Sequence, residues 1–335
     1  MKSKVGKITG ATLAALLIIL MAANLIVPLV RPIVATPINP RAVPTLGNAE
    51  LQGDVWYVDG NMLADTGTGK SWADAKKYLS SAMALSNADI ARDADRQWAA
   101  RNTIYVRGDT ITEDMVILAQ KTDIIGVGSN AAFKKPGITG SWIIPGTINY
   151  MGCRFINMYF TDTGATAIFD IDAQTGLEFH GCHFESGSGG LTTIGLQVEE
   201  SSFLVVDSCE FSCVSATKGF SASAIKIVND TGVVYDVKIT NNIIEAAGIG
   251  IDCDESDLHN GWVTDNYIFS TVQVIDDDGD NLRVVNNKLI TSVDIDTHAE
   301  ETGWDFNPNL SVGNEIIGSA SEISNTIPIV EESDA

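Results

Sequence analysis

The sequence predicts an all-β solenoid, a parallel β-helix, because one short motif recurs seven times between residues 148 and 316. The motif has two alternating apolar residues, two or three small or polar residues, Asn or Cys, and another apolar position. Its marker residues are Cys153, Cys182, Cys209, Asn242, Asn266, Asn287 and Asn314. The intervals between markers vary from 21 to 33 residues, as expected when loops of variable length join turns of constant size.

A second apolar segment lies between most markers. These segments are AIFDI (167–171), IGLQV (194–198), AIKI (224–227), IGIDC (249–253) and VQVI (272–275). Each repeat is therefore predicted to contain two or three short strands. Their inward side chains would stack from turn to turn about 4.8 Å apart. The asparagine markers would form an interior ladder that satisfies its own amides and the nearby backbone. A β-sandwich is the alternative, and the solenoid is preferred because the motif recurs in register.

The first fifty residues predict export. Lys2, Lys4 and Lys7 precede an uncharged run, residues 8–30, that is long enough to span a bilayer as a helix. Residues 1–31 are therefore predicted to be either a cleaved signal peptide or an uncleaved membrane anchor. In both cases the body is expected outside the cell, secreted or held at its surface. Five of the nine prolines fall between Pro28 and Pro44, so residues 32–50 are predicted to form a stiff linker.

The stretch TGTGKS (66–71) ends like a phosphate-binding loop, but Ala64 stands where that loop requires its first glycine. We interpret the stretch as a turn into a helix, with Ser71 and Asp74 as a capping box. The expected apolar face of that helix has helical spacing and consists of Trp72, Ala75, Leu79, Ala82 and Met83.

The repeats, together with VWYVDGN (55–61), NTIYVRGDTITEDMVI (102–117) and TDIIGVGS (122–129), resemble the right-handed parallel β-helix proteins of the pectate-lyase-like superfold. The resemblance covers roughly residues 53–318. It implies that residues 51–128 form the start of the β-helix with a helix capping its open end and that 129–320 form the turns. Residues 321–335 are separately expected to be an acidic tail. Trimers are common among tailspike-like members, so a homotrimer is one assembly to test.

Charge is distributed unevenly along the chain. From Met151 to Ala335 there are 31 acidic and 6 basic residues. Such an acidic body repels polyphosphate, so we expect no nucleic acid partner. The five cysteines show no zinc spacing. The three marker cysteines are expected to be reduced and buried in a stack, with a disulfide between neighbouring turns as the alternative. His180 and His183 are predicted to alternate within one strand, one facing inward and one outward.

The resemblance includes lyases and hydrolases, and their site patterns are incomplete here. A lyase would need a base, often arginine, and only Arg154 and Arg283 follow Met151. A polygalacturonase would need paired aspartates with Gly-His-Gly. Asp276-Asp277-Asp278 is present without the second motif.

The strongest polar cluster is an acidic corner. IDCDESDLHN (251–260) and VIDDDGDN (274–281) are expected at the same corner of adjacent turns, with VDIDTHAEE (293–301) one turn later. Calcium favours such oxygen-rich sites, with Asp254, Asp257, Asp276, Asp278 and Asp280 as candidate ligands. A hydrated acidic turn without metal is the alternative.

Trp304 and Phe306 are candidate sugar-binding residues, while Trp262 and Tyr267 could equally be packed.

Three functions follow from these observations. The first is a surface-displayed or virion-surface β-helix that binds glycans or has a structural role without catalysis. The second is a polysaccharide lyase or glycoside hydrolase acting on an acidic polysaccharide. The third is an adhesin-like module that binds a protein.

Overall fold

The computed structural model describes residues 53–92, 100–128, 135–162, 164, 166–187, 192–212, 219–228, 234–253, 258–276, 282–291 and 311–317. The predicted apolar helix in residues 8–30, the linker and the acidic tail lie outside these ranges. Among the described residues, no helix is long and apolar enough to cross a membrane.

The described residues form one short 3-10 helix, one α-helix and a long series of strands. The 3-10 helix is Trp72–Asp74 and α1 is Leu79–Ile90. The strands are β1 (Val55–Asp59), β2 (Asn102–Arg107), β3 (Ile111–Thr112), β4 (Thr122–Gly126), β5 (Gly137–Thr139), β6 (Trp142–Ile144), β7 (Arg154–Ile156), β8 (Tyr159–Asp162), β9 (Ala167–Asp172), β10 (Glu178–His180), β11 (His183–Ser186), β12 (Ile194–Glu199), β13 (Val205–Asp207), β14 (Glu210–Ser212), β15 (Ser223–Val228), β16 (Val234–Tyr235), β17 (Lys238–Thr240), β18 (Ile243–Ala246), β19 (Ile249–Asp252), β20 (Leu258–His259), β21 (Gly261–Thr264), β22 (Tyr267–Ser270), β23 (Gln273–Asp276), β24 (Leu282–Val285), β25 (Lys288–Thr291), β26 (Ser311–Val312) and β27 (Glu315–Ile317).

Three long parallel sheets collect these strands. Sheet A has the order β1-β2-β4-β7-β10-β13-β17-β21-β24-β26, sheet B has β3-β5-β8-β11-β14-β18-β22-β25-β27, and sheet C has β6-β9-β12-β15-β19-β23. Consecutive strands such as β10, β11 and β12 enter sheets A, B and C in turn, and the next three strands pair with them. The chain is therefore a parallel-β solenoid, as the repeats predicted. A two-stranded sheet, β16-β20, lies in the connections from sheet C to sheet A.

Aromatic side chains fill the centre of the solenoid. Phe155 stacks on Phe179 one turn later, with ring centroids 5.2 Å apart, and Phe184 stacks on Phe211 at 4.4 Å. All four side chains are fully buried. Burying one such side chain stabilises the fold by about 1.5–3 kcal/mol, so these two stacks, one on sheet A and one on sheet B, hold successive turns in register.

The predicted capping box is wrong. Ser71 makes no side-chain cap, and the α-helix begins at Leu79 rather than near Ser71. The Asp74 carboxylate instead accepts hydrogen bonds from the backbone N–H and the hydroxyl of Thr68. The N-terminal N–H groups of α1, on Leu79 and Ser80, are bound by the carboxylate of Glu113, which is distant in sequence.

Helix α1 nevertheless packs on the solenoid as expected. Three residues of the predicted apolar face, Leu79, Ala82 and Met83, are fully buried in the common core. The Ser86 hydroxyl lies 2.7 Å from the Thr122 hydroxyl at the start of β4. The Asn102 amide donates to Ser86 and so ties α1 to β2. The helix therefore covers the first strands of sheet A.

The predicted asparagine ladder is confirmed at the corner between sheets A and B. Asn242, Asn266, Asn287 and Asn314 follow one another on successive turns, and each of the first three donates to the side-chain oxygen of the next. Their side-chain amides also donate to backbone carbonyls of the preceding turn. The residue before each ladder position has a left-handed backbone, as Asn157, Gly181, Ser208, Asn241, Asp265, Asn286 and Gly313 show.

One marker was assigned to the wrong corner. The register pairs Arg154 with Glu178, so Cys153 lies beside Leu177 at the corner between sheets C and A. Met158 takes the ladder position one turn before Cys182. The prediction that the marker cysteines are buried and reduced is confirmed for Cys153, Cys182 and Cys209. Burial raises the pKa of Cys153 to about 12.

Candidate functional site

The outer face of sheet A is the candidate site. Side chains of its strands alternate, so that Ile104, Ile124, Phe155, Phe179, Val206, Ile239 and Val263 point into the core. The register places the outward side chains in two columns. The first column is Thr103, Asp123, Arg154, Glu178, Val205, Lys238, Trp262 and Arg283. The second column is Tyr57, Tyr105, Ile125, Ile156, His180, Asp207, Thr240, Thr264 and Val285.

A network of ion pairs crosses the middle of this face. Arg101 Nη1 lies 2.6 Å from Asp123 Oδ1, and Arg154 Nη1 approaches the same oxygen at 3.9 Å. Arg154 Nε lies 2.9 Å from Glu178 Oε1 on the next strand. Arg154 therefore faces outward and is held between two carboxylates.

His180 continues the network. Its Nε2 lies 2.8 Å from Glu178 Oε2, and its Nδ1 lies 3.8 Å from Asp207 Oδ2. Burial disfavours the ionised form of Glu178, but His180 and Arg154 outweigh burial and lower its pKa. Burial also disfavours the ionised form of Asp207, but hydrogen bonds from Asn241, Thr240 and Ser208 outweigh it, so the pKa of Asp207 is lowered too. Both carboxylates therefore stay ionised at neutral pH.

Aromatic rings lie at the N-terminal end of the face. The Tyr57 ring lies 4.8 Å from the Trp72 ring and 5.9 Å from the Tyr105 ring, measured between centroids. The Arg107 guanidinium lies 4.2 Å from the centre of the Trp72 ring. Each of these three rings is partly exposed, so the cluster presents ring surface and one cation to solvent.

A second aromatic group lies at the C-terminal end. Trp262 is 36% exposed and Tyr267, on sheet B, is 39% exposed. Both are thus partly accessible, whereas the sequence left packing and exposure open. The Arg283 guanidinium lies 4.4 Å from the centre of the Trp262 ring, so Arg283 also faces outward.

Sheet C carries a different set of outward groups. Its column consists of Asp170, Gln197, Lys226, Asp252 and Asp276. The Gln197 amide donates to Asp170 Oδ1 at 3.2 Å and to Glu199 Oε1 at 2.6 Å. Burial, and then the neighbouring Asp172, raise the pKa of Asp170. Lys226 Nζ lies 3.2 Å from the buried carboxylate of Asp252.

The acidic corner is described only in part. Asp252 and Asp276 end paired strands of sheet C and lie directly opposite each other, as expected for segments that emerge at one corner. Asp254, Asp257, Asp278 and Asp280 lie outside the described residues, as do Trp304 and Phe306. Within the described ranges, no group of three or more His, Cys, Asp or Glu side chains could hold a metal ion.

The alternation predicted for two histidines is wrong. His180 ends β10 and His183 begins β11 beyond a corner, so they belong to different sheets. Both face outward, because Phe179 and Phe184 occupy the inward positions. His183 Nε2 lies 2.8 Å from the Ser212 hydroxyl.

The lysine of the phosphate-loop-like stretch is already bound to the protein. Lys70 Nζ lies 3.0 Å from Asp54 Oδ2 and 4.0 Å from the centre of the Trp56 ring. This arrangement favours a structural turn over a phosphate loop.

Sequence reasoning missed several members of the face, including Tyr57, Tyr105, Glu178 and Asp207. Strands of three to six residues show their alternation clearly, but membership of one column depends on register between segments 20 to 48 residues apart. Aligning the inward residues Ile104, Ile124, Phe155, Phe179 and Val206 is the signal that could have found them.

No protein-family model matches the sequence, and no curated protein matches it significantly. A solved structure described as Geobacillus virus E2 ORF18 is similar with 11% sequence identity and a TM-score of 0.32. The similarity covers 65% of this chain and about half (50%) of that chain. A likeness this weak establishes neither a shared fold nor a shared function.

Proposed function

We propose that this chain is a surface-displayed, right-handed parallel β-helix that binds glycans without cleaving them. The binding surface is the outer face of sheet A. The observation that carries the proposal is the composition of that face, which has partly exposed aromatic rings at both ends and a row of charged and hydroxyl groups between them. Aromatic rings stack on the apolar faces of sugar rings, while polar groups bind their hydroxyls.

The charged groups of the face favour recognition over catalysis. Glu178 and Asp207 have lowered pKa values and remain ionised, so neither is suited to donate a proton near neutral pH. Arg154 is held by Asp123 and Glu178, which opposes its use as a base. A preorganised, ionised row of this kind binds hydroxyl groups through charge-assisted hydrogen bonds.

Two parts of the proposal, display at a surface and right-handed winding of the solenoid, are supported by the sequence and by a general rule of sheet topology. Residues 1–31 would export or anchor the chain, and residues 32–50 would hold the solenoid away from the membrane. Crossover connections between parallel strands of one sheet are almost always right-handed, which supports right-handed winding. Calcium at the acidic corner would be an additional structural ligand.

The test is glycan binding by the full-length chain, purified in mild detergent. Binding to a panel of neutral and acidic polysaccharides would be measured by calorimetry, with and without a calcium chelator. Tyr105→Ala should weaken binding about tenfold, which corresponds to about 1.4 kcal/mol. Tyr235→Ala is the matched control, because Tyr235 is 45% exposed but belongs to β16. Binding of no glycan, or equal loss in both variants, would contradict the proposal.

A second candidate function, polysaccharide cleavage, is favoured by one observation on sheet C. The raised pKa of Asp170 is the property of a carboxylic acid that donates a proton in glycoside hydrolysis. New reducing ends or unsaturated uronates that disappear in Asp170→Asn would support this function over binding alone. An adhesin-like or virion-structural role would be favoured if the chain neither binds nor cleaves any glycan.

A further inference from the structure

Three side chains of the first column stand side by side at the C-terminal end of the outer face of sheet A. The strand register pairs Lys238 with Trp262, and Trp262 with Arg283. Neighbouring strands lie about 4.8 Å apart, so both cations are one strand from the ring, on opposite sides. Lys238 and Arg283 are exposed and Trp262 is 36% exposed.

We infer that Lys238, Trp262 and Arg283 form a subsite for an anionic sugar, a pyranose that carries a carboxylate or a sulfate. This inference rests on the proposed glycan-binding function and specifies the ligand. The sequence marked Trp262 and Arg283 separately but did not bring them together with Lys238, because the three residues come from segments 24 and 21 residues apart.

Positive charge is concentrated at these positions. Only six basic residues follow Met151, against 31 acidic ones, and two of the six flank this single ring. Arg154, Lys226 and Lys288 each pair with a carboxylate. Within the described part of the chain, neither Lys238 nor Arg283 has an ion-pair partner. Their charges are therefore available to a ligand.

The indole ring of Trp262 supplies the stacking surface of the subsite. The Arg283 guanidinium, 4.4 Å from the centre of the Trp262 ring, packs from the β24 side and restrains the indole. Trp262 is 36% exposed, and in this subsite the sugar ring would stack on the side of the indole toward β17 and Lys238. A pyranose stacked there would place its acidic substituent within reach of the lysine ammonium or the guanidinium fork. The neighbouring outward positions, Thr240 and Thr264, are uncharged. The nearest carboxylate of the second column is Asp207, one strand before Lys238, and it accepts hydrogen bonds from Thr240 and Asn241.

The experiment compares ligands that share one backbone. Calorimetry would measure binding of the full-length chain to dextran, carboxymethyl-dextran, dextran sulfate and poly-L-glutamate. We expect at least one anionic dextran to bind about tenfold more tightly than dextran. The carboxymethyl and sulfate forms distinguish the two sources of negative charge.

Variants assign that binding to the subsite. Lys238→Gln and Arg283→Gln should each weaken binding of the anionic dextran about fivefold, and Trp262→Phe less than Trp262→Ala. Lys288→Gln on sheet B is the matched control, because it removes the same charge elsewhere and should leave affinity unchanged.

Each unfavourable result has a distinct meaning. Equal binding of neutral and anionic dextran, or anionic binding that survives Lys238→Gln and Arg283→Gln, would overturn the subsite while glycan binding stands. Equally tight binding of poly-L-glutamate through the same residues would overturn it in favour of an acidic protein partner. Binding of no glycan in this set or in the larger panel would remove the proposed function itself.

Discussion

Asn266 Oδ1 accepts two hydrogen bonds from Asn242, one from its backbone N–H and one from its side-chain amide, both at 2.9 Å. The same pattern recurs between Asn266 and Asn287. Each side chain thus satisfies a buried backbone group of the turn before it. A ladder of this kind fixes the corner between sheets A and B through polar groups that would otherwise be buried without partners.

Asn266→Ala should destabilise the protein by about 3 kcal/mol, since it leaves several buried donors and acceptors unpaired. Urea denaturation of the full-length chain would show this as a lower midpoint. Asn286→Gly is the control, because Asn286 is exposed and has a left-handed backbone that glycine adopts freely. Its effect should stay within about 0.5 kcal/mol. Equal losses in the two variants would show that the ladder contributes no particular stability.

The solenoid could be predicted from the sequence because each turn repeats one buried pattern, but the register could not always be assigned. Gly152-Cys153 and Gly181-Cys182 look alike because both corners use a left-handed residue followed by a small buried one. They nevertheless lie at different corners, which only strand pairing distinguishes.

The site was less predictable than the fold. Arg154 was recognised as a candidate from its scarcity, but its partners Asp123 and Glu178 lie 31 and 24 residues away. Because these partners are so far from Arg154 in the sequence, no local pattern predicts that they pair with it. The helix start was also misplaced, because its N-terminal N–H groups are bound by Glu113 rather than by a residue of the local turn.

Stability should fall in acid, and Arg154→Gln should reduce that fall. The pKa values of Glu178 and Asp207 are lowered in the folded protein. Their contribution is therefore complete above the unfolded carboxylate pKa of roughly 4 and is lost as pH falls through the lower folded values. Each contributes less than about 1 kcal/mol, because water screens these partly exposed groups.

Urea midpoints between pH 2 and pH 7 would test this dependence. The Arg154→Gln protein should be less stable at pH 7 and should lose less stability on acidification, because removing Arg154 takes away one of the groups that lower the pKa of Glu178. Lys288→Gln, which breaks only the exposed pair with Glu315, should follow the unmodified protein. Parallel curves for all three proteins would contradict the assignment.

Gly250→Ala should destabilise the protein by about 2 kcal/mol or more, because the close packing of sheet C leaves no room for a methyl group. A Cβ atom there would lie 2.5 Å from the backbone oxygen of Val274 and 2.6 Å from a methyl carbon of Ile268. At the matching position one turn earlier, Ala224 is accommodated. Ala224→Gly should cost only about 0.5–1 kcal/mol. Thermal unfolding of both variants would check the difference, and a tolerated Gly250→Ala would show that β19 and β23 are less closely packed than described.

Glu113 should have the opposite pH dependence to Glu178. Its carboxylate accepts hydrogen bonds from the backbone N–H groups of Leu79 and Ser80 and from the Ser80 hydroxyl. Burial nevertheless dominates and raises its pKa. The folded protein therefore binds the proton more tightly than the unfolded chain, and this contribution to stability decreases as pH rises from roughly 4 through the raised pKa.

Glu113→Gln keeps an oxygen acceptor at the start of α1 but removes the titration. Stability of this variant should therefore change less between pH 4 and pH 7 than that of the unmodified protein, apart from the groups that both share. Glu113→Ala removes the acceptor and should cost about 1–2 kcal/mol at any pH, as loss of a helix cap does. The helical signal of circular dichroism during urea titration would measure both. If Glu113→Gln and Glu113→Ala were equally unstable, the negative charge rather than the acceptor oxygen would stabilise the start of the helix. That result would contradict a raised pKa for Glu113 in the folded protein.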